Sequence, residues 1–473
     1  MNDRVYVAID QGGHATRATA FDAAGQVHGA ALVTIATQRN ALGHVEHDPG
    51  EVLASVRTAL AELARHVPAA RWEAAGFAVQ RSSLLCWNAA DGSALSPVIS
   101  WQDRRNAAWL NGLARRAEEV QHLTGLPLSP HYGASKIRWC LDHLPAVRAA
   151  AARGRLRAAP LACWLLHRLL REHPFLADAA TAARTLLWSP FERDWSEELL
   201  AMFGVPRAVL PRAVGTAGNF GTLDCEGAAV PVTVCNGDQS VVPFAAGPLD
   251  GAAAYVNLGT GAFVLRPVPG ALRAPPLLTS VIRVDAVNFD CVLEGSVNGA
   301  GAALEWFERH LGAATDRMLA LLDTAELADD GAPFFLNGVS GLGSPFWKPD
   351  FESRFVGEGT ELQQCRAVLE SVAFLIKANL DEMDRHHAPP ARLVASGGLA
   401  ENRLLCRLLA ALSDLPVDRS SDREATSRGL GFLVAGEPRQ FQAPEGTRFE
   451  PEDGPPLLAR YLKWLELMRE ATG

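Results

Sequence analysis

The chain has 473 residues, 48% of them hydrophobic and 21% charged, with a net charge of −9. That length exceeds one ordinary core and suits two sizeable domains. The acidic balance argues against a nucleic-acid binder or a protein held to anionic lipid, and no apolar run approaches the roughly 18 residues of a membrane span.

The first element is "VYVAIDQGGHATRATAFD", residues 5 to 22. A β-forming run ends at Asp10, two glycines and His14 follow, and a second β-like run leads to Asp22. Such a turn lets backbone N–H groups point at a phosphate without side-chain interference; standing alone it is an ordinary hairpin. The β-formers begin at Val5 in place of a charged-then-apolar leader. Residues 51–66, "EVLASVRTALAELARH", have helical apolar spacing. In "VPVTVCNGDQSVVPFAAG" (230–247), a β-branched run ends in Asn236-Gly237-Asp238-Gln239. This design either holds a carboxylate at a domain edge or lets Asp238 cap a helix starting at Gln239. Pro and Gly punctuate "FAAGPLDGA" (244–252), which predicts domains of 1–244 and 245–473. "AAYVNLGTGAFVLRPV" (253–268) repeats the pattern of strand, glycine turn and strand about half the chain away, suggesting two related halves.

Over 361–386, Leu362, Cys365, Leu369, Val372, Ile376, Leu380 and Met383 mark one helical face. In "RLVASGGLAENRLLCRLLAAL" (392–412), an apolar strand meets Gly397-Gly398 and an amphipathic helix follows Asn402. Its turn would admit a flat ligand such as adenine close to the backbone. No GxxxxGK[ST] is present, which excludes a Walker-type loop, and no GxGxxG opens a helix. Strand and helix patterns alternate as in an α/β fold. The eight cysteines are scattered with no CxxC, so buried reduced thiols in a cytoplasmic protein are expected.

These segments resemble the FGGY carbohydrate kinases, and among them the glycerol kinases. The likeness runs nearly end to end through "HVEHDP" (44–49), "VQR" (79–81), "SWQDRR" (100–105), "NGDQ" (236–239), "LGTG" (258–261), "GAGAALEW" (299–306), "SGLGSPFW" (340–347), "SGGLAEN" (396–402) and "EATSRGLGFLVAG" (424–436). The resemblance implies an α/β protein of two RNase H-like domains, of the actin and hexokinase type, flanking a central cleft. It also implies ATP-dependent phosphoryl transfer to a hydroxyl of glycerol or a related small polyol or sugar. By the same resemblance Asp238 is the general base and Asp10 directs Mg²⁺. Gly12, Gly13, His14, Arg17, Gly259, Thr260, Gly261 and Gly301 lie on the phosphate side, and Gly398 and Asn402 on the adenine side. Arg81, Trp101, Asp238, Gln239 and Phe263 fall on acceptor-lining positions. For Trp101, one of 11 tryptophans, core packing is the plainer alternative. A homodimer is a compatible assembly.

Three departures from the family pattern stand out. Ser82 occupies a position where glycerol kinases carry glutamate. His131 occupies that of a tyrosine, unless a one-residue slip brings in Tyr132. The hydroxyls that follow the first aspartate in the family are absent at Gly13, His14 and Ala15, the first being that of Thr16. A lost carboxylate redirects acceptor specificity, and His14 either donates to a phosphate or leaves that work to its backbone. A catalytically weak nucleotide- or sugar-binding regulator is the alternative these changes motivate. An actin-type filament ATPase would not need "SWQDRR" and "NGDQ".

Overall fold

The computed structural model describes residues 4–312, 315–327 and 331–473; residues 1–3, where a leader would begin, lie outside them. The first β-rich run forms strand Val5–Gln11, with Val5, Val7, Ala8 and Ile9 all buried. A strand apolar on both faces belongs inside a covered sheet, and this one is central. The six-stranded sheet runs Ala217–Cys225, Ala228–Gly237, Trp72–Val79, Val5–Gln11, Ala15–Phe21, Val27–Thr34. Val5–Gln11 pairs antiparallel with Ala15–Phe21 and parallel with Trp72–Val79, which pairs parallel with Ala228–Gly237.

The second sheet repeats this order. Its strands run Leu278–Val284, Phe289–Val297, Ala262–Pro269, Ala253–Leu258, Arg392–Ser396, Val417–Ser420, Gly446–Phe449. Ala253–Leu258 takes the central place, antiparallel to Ala262–Pro269 and parallel to Arg392–Ser396. Apart from the extra edge strand Leu278–Val284, each pairing sense in one sheet recurs in the other. The two glycine turns are therefore equivalent hairpin corners of two like-built sheets.

Helix Pro49–His66 starts where Asp48 accepts from the Glu51 N–H, with proline in its first turn, and buries Val52, Val56, Leu60 and Leu63. Helix Glu361–Met383 opens on a capping box between Thr360 and Gln363. It stops three residues short of the 386 suggested by apolar spacing. The bonds tighten at Arg385 and His386, and Pro389-Pro390 forbid continuation. Helix Ala425–Val434 belongs to the second half by sequence. Nevertheless its Leu430 and Val434 pack with Ala8, Phe21, Ala78 and Val234 of the first sheet. Gly429 makes that approach possible, since a Cβ there would lie 2.0 Å from the Val241 carbonyl oxygen.

The largest apolar cluster runs from Leu84 and Ile137 through Trp188 into Val256, Leu293 and Phe374 of the second half. All eight cysteines are free and buried. Among the described residues, no helix is long and apolar enough to cross a membrane.

Candidate active site

Three parallel strands of the first sheet end side by side, with Gln11 paired to Val79 and Val79 to Gly237. The residues that follow, Gly12, Gln80-Arg81 and Asp238, are thus delivered to one sheet edge. Carboxyl ends of parallel strands are where α/β sheets bind ligands. In the second sheet Asn257 pairs with Ser396, which brings Gly259–Gly261 and Gly397-Gly398 to the equivalent edge. The two edges touch, because Asn257 Nδ2 donates to Gln239 Oε1 at 2.8 Å.

Each turn is closed by its own bond, Gly12 N–H to the Ala15 carbonyl and Gly259 N–H to that of Gly261, both 2.9 Å. Gly301 N–H is engaged too, donating to the Gly259 carbonyl at 3.0 Å. The N–H groups of Gly13, His14, Thr260 and Gly261 remain without partners among the described residues. These four donors suit an anion. The His14 side chain is exposed. The Thr16 hydroxyl points elsewhere, buried and bonded to Ser55 Oγ at 2.7 Å. Gln80 braces the first turn, its Nε2 donating to the Gly12 carbonyl at 3.1 Å.

Asp10 sits opposite Arg17 across the hairpin, and Arg17 pairs with Glu424 at 2.7 Å. Burial, together with the charges of Asp238 and Glu424, pushes the Asp10 carboxyl up to about 8 against the pull of Arg17. Burial also raises Asp238, against Arg81 and the Gln239 N–H that donates to its Oδ1 at 2.8 Å. No regular helix begins at Gln239; the next element is the single turn Val242–Phe244. Asp238 is therefore no helix cap. Crowded carboxylates raise one another's pKa, and a divalent ion would compensate their charge. No group of three or more metal-ligating side chains occurs among the described residues. That donor set fits Mg²⁺, which keeps much of its water and is held through one or two carboxylates plus phosphates.

On the other side of Asp238 stands Arg81, whose Nε is 3.7 Å from Asp238 Oδ1. Its two terminal nitrogens donate to Glu294 at 2.8 and 3.1 Å, and its guanidinium lies 5.6 Å from the Phe263 ring centre. Trp101 is 38% exposed, which removes core packing as its explanation, and its Nε1 lies beside the Gly13 backbone. The His131 ring meets Trp101 edge-on at 5.9 Å and Tyr132 at 4.8 Å. Tyr132 is buried beneath Arg184, so His131 is the one of the two that neighbours Trp101. Ser82 has φ of 64° and a buried hydroxyl with no partner among the described residues. Lys136 gathers this wall, donating to the carbonyls of Ser82, Ser100 and His131 at 3.1, 2.8 and 2.6 Å.

On the far side, Gly397 adopts φ of 90°, and a Cβ there would lie 2.4 Å from the Leu258 carbonyl oxygen. Around Gly398 a Cβ would meet open space. Asn402 caps helix Arg403–Ser413 by accepting from the Leu405 N–H. A cavity of about 310 Å³ adjoins this corner, bounded by Gly397, Glu401, Arg419 and Asp422.

Residues 5–256 match the N-terminal domain of the FGGY family of carbohydrate kinases, and residues 254–435 match its C-terminal domain. The chain belongs to the FGGY family. It is a carbohydrate or polyol kinase with the two-domain fold of the actin and hexokinase type. It is 35% identical to a glycerol kinase of Alkalilimnicola ehrlichii over 446 residues, covering 91% of this chain and 89% of that one. A glycerol kinase of Aromatoleum aromaticum is also 35% identical, over 445 residues, with 90% and 89% covered. In fold it is similar to the Plasmodium falciparum glycerol kinase with ADP, at a TM-score of 0.90, 21% identity and coverage of 99% and 98%. A xylulose kinase from Brucella ovis gives 0.87, 23%, 99% and 98%.

Within this FGGY kinase, residues absent from the sequence reading cluster with the expected ones. Glu294, Gln80, Lys136 and Glu424 contact the set, and Arg184 joins it through Glu294. The motif "EATSRG" contained Glu424, but only the fold brings its carboxylate to Arg17.

Proposed function

We propose that this kinase transfers the γ-phosphate of ATP to a hydroxyl of a small polyol or sugar, glycerol being the nearest named acceptor, with Asp238 as general base. The observation that carries the reading is the position of Asp238. It is half-buried at the strand end that adjoins the first glycine turn, with Arg81 on one side and the second sheet's edge on the other. Phosphoryl transfer requires alignment, charge neutralisation and a base near the attacking hydroxyl. The Asp238 carboxylate orients that hydroxyl and takes its proton as the oxygen–phosphorus bond forms and the bond to the departing ADP breaks. A carboxyl whose pKa is raised towards the working pH is better matched to that task. Arg81, fixed by Glu294, and the Trp101, His131 and Phe263 rings hold the carbon skeleton. The free N–H groups of Gly13, His14, Thr260 and Gly261 receive phosphate oxygens, and Gly398 leaves room for adenine beside Asn402. Asp10 would hold Mg²⁺ through water, with Asp238 and Glu424 adding negative field; the ion supplies positive charge against the phosphates.

The test is ADP release by purified protein with Mg·ATP against glycerol, tetritols, pentitols and ketoses, together with isolation of the phosphorylated product. Release that requires both an acceptor and Mg²⁺ supports the reading. Nucleotide binding with no product from any acceptor would replace it with the regulatory one.

A further inference from the structure

The wall behind Asp238 gathers the basic side chains of Arg81, Arg184 and Lys136. Arg81 and Arg184 both approach one carboxylate, Glu294, the first through two hydrogen bonds and the second at 3.6 Å. Glu294 is further occupied by the Ser280 hydroxyl at 2.8 Å. Lys136 adds a third basic group, donating to three carbonyls, with burial drawing it down to about 7 against the charge of Asp103. The remaining acid, Asp238, faces Asp10 as well as Arg81. Two polar groups in this wall are left open. Arg184 is 5% exposed; its Nη1 donates to Ser280 at 3.1 Å, while its Nε–H has no partner among the described residues. The Ser82 hydroxyl, on a residue 6% exposed, has none either. A buried guanidinium with an unmade charge-assisted bond is costly unless a ligand completes it. The neighbouring His131 is held well below its usual range by burial and by Lys136, Arg184, Arg81 and Arg104.

We infer that the acceptor carries a carboxylate, so that the substrate class is a short-chain polyhydroxy acid whose acid group meets Arg184 and Ser82 while one of its hydroxyls is presented to Asp238. This rests on the acceptor-pocket reading above and narrows it. The carboxylate accepts from the unpartnered Nε–H and hydroxyl, a pairing stronger than one between neutral groups. It stays chemically unchanged. The bond to the γ-phosphorus forms at the alcohol oxygen, ADP leaves, and the alcohol proton goes to Asp238.

The experiment compares kcat/KM for glycerate and erythronate with that for glycerol and erythritol, in wild type, Arg184→Gln and Ser82→Glu. Wild type is expected to favour the acids by roughly tenfold or more, as a site loses this much when a buried polar group goes unpaired. Arg184→Gln should erase the preference. Ser82→Glu, which supplies the anion from the protein itself, should turn it towards the neutral polyols. Neutral polyols preferred by wild type, or an acid preference that survives both substitutions, would overturn the inference while leaving the kinase intact. Thermal shift of nucleotide-free wild type with each compound separates the two failures. Stabilisation by the acids alone, with no ADP from any acceptor, would sink the kinase reading and keep the acid-binding site. Stabilisation by no acid would refute the acid site even if Arg184→Gln fails to fold.

Discussion

Asp10 and His14 lie four residues apart in one turn and have opposite prospects. The Asp10 carboxyl is half-buried and faces two other acids, with a pKa of about 8 against an ordinary 3.8. A folded-state pKa raised in this way means that the native protein binds more protons than the unfolded chain between those two values. Stability contributed by this group is therefore present at low pH and is lost as pH rises through about 8, by up to about 1.4 kcal/mol per pH unit. In metal-free buffer, denaturant unfolding of wild type and Asp10→Asn should diverge over that window, with the flatter profile in the variant. Parallel profiles would show that Asp10 is already ionised. His14 is exposed, beside two unpaired backbone N–H groups. If the backbone alone serves the phosphates, His14→Ala should leave kcat and the KM for ATP within about twofold, whereas a direct ring contact would raise that KM about tenfold, near the 1.4 kcal/mol of one hydrogen bond.

At the scale of elements, the duplicated hairpins were legible because a period-two apolar pattern broken by glycine is a local signal. Helix Arg403–Ser413 was legible for the same reason, with Asn402 as its cap. Replacing that cap by alanine should lower stability by about 1 kcal/mol, read as a shifted denaturation midpoint. Gly397 is less forgiving. Its positive φ and the 2.4 Å approach to Leu258 should make Gly397→Ala lose nucleotide-dependent thermal stabilisation, as the ends of the two adjacent strands are pushed apart at that corner. Unchanged stabilisation by Mg·ATP would show that the corner can shift. What the sequence did not disclose has one physical character. Glu294 lies 213 residues from Arg81, and Glu424 reaches Arg17 only because its helix crosses to the first sheet. Neither pairing leaves a trace in local spacing. The Thr16 hydroxyl, the first available after the glycines, was committed to Ser55 by strand alternation, which points it inward.

Across the whole molecule, a few polar links tie the halves together around the cleft. Arg428 donates to the carbonyls of Ala245, Gly25 and Gln442, Asn257 reaches Gln239, and Arg81 grips Glu294. The last is a buried, doubly bonded pair, with Glu294 held down at about 2 by Arg81 and Arg184 despite its burial. Breaking it by Glu294→Gln leaves Arg184 without its paired carboxylate and Arg81 with only Asp238, and should cost about 3–5 kcal/mol, measurable by chemical denaturation. A loss under 1 kcal/mol would mean that water already shares the pair. These links hold Asp238 between the two glycine turns. The most direct measurement is turnover of Asp238→Asn with Mg·ATP and the best acceptor. Loss of the base predicts a fall in kcat of roughly 10²–10⁴-fold with the KM for ATP little changed; near-normal turnover would contradict the assignment.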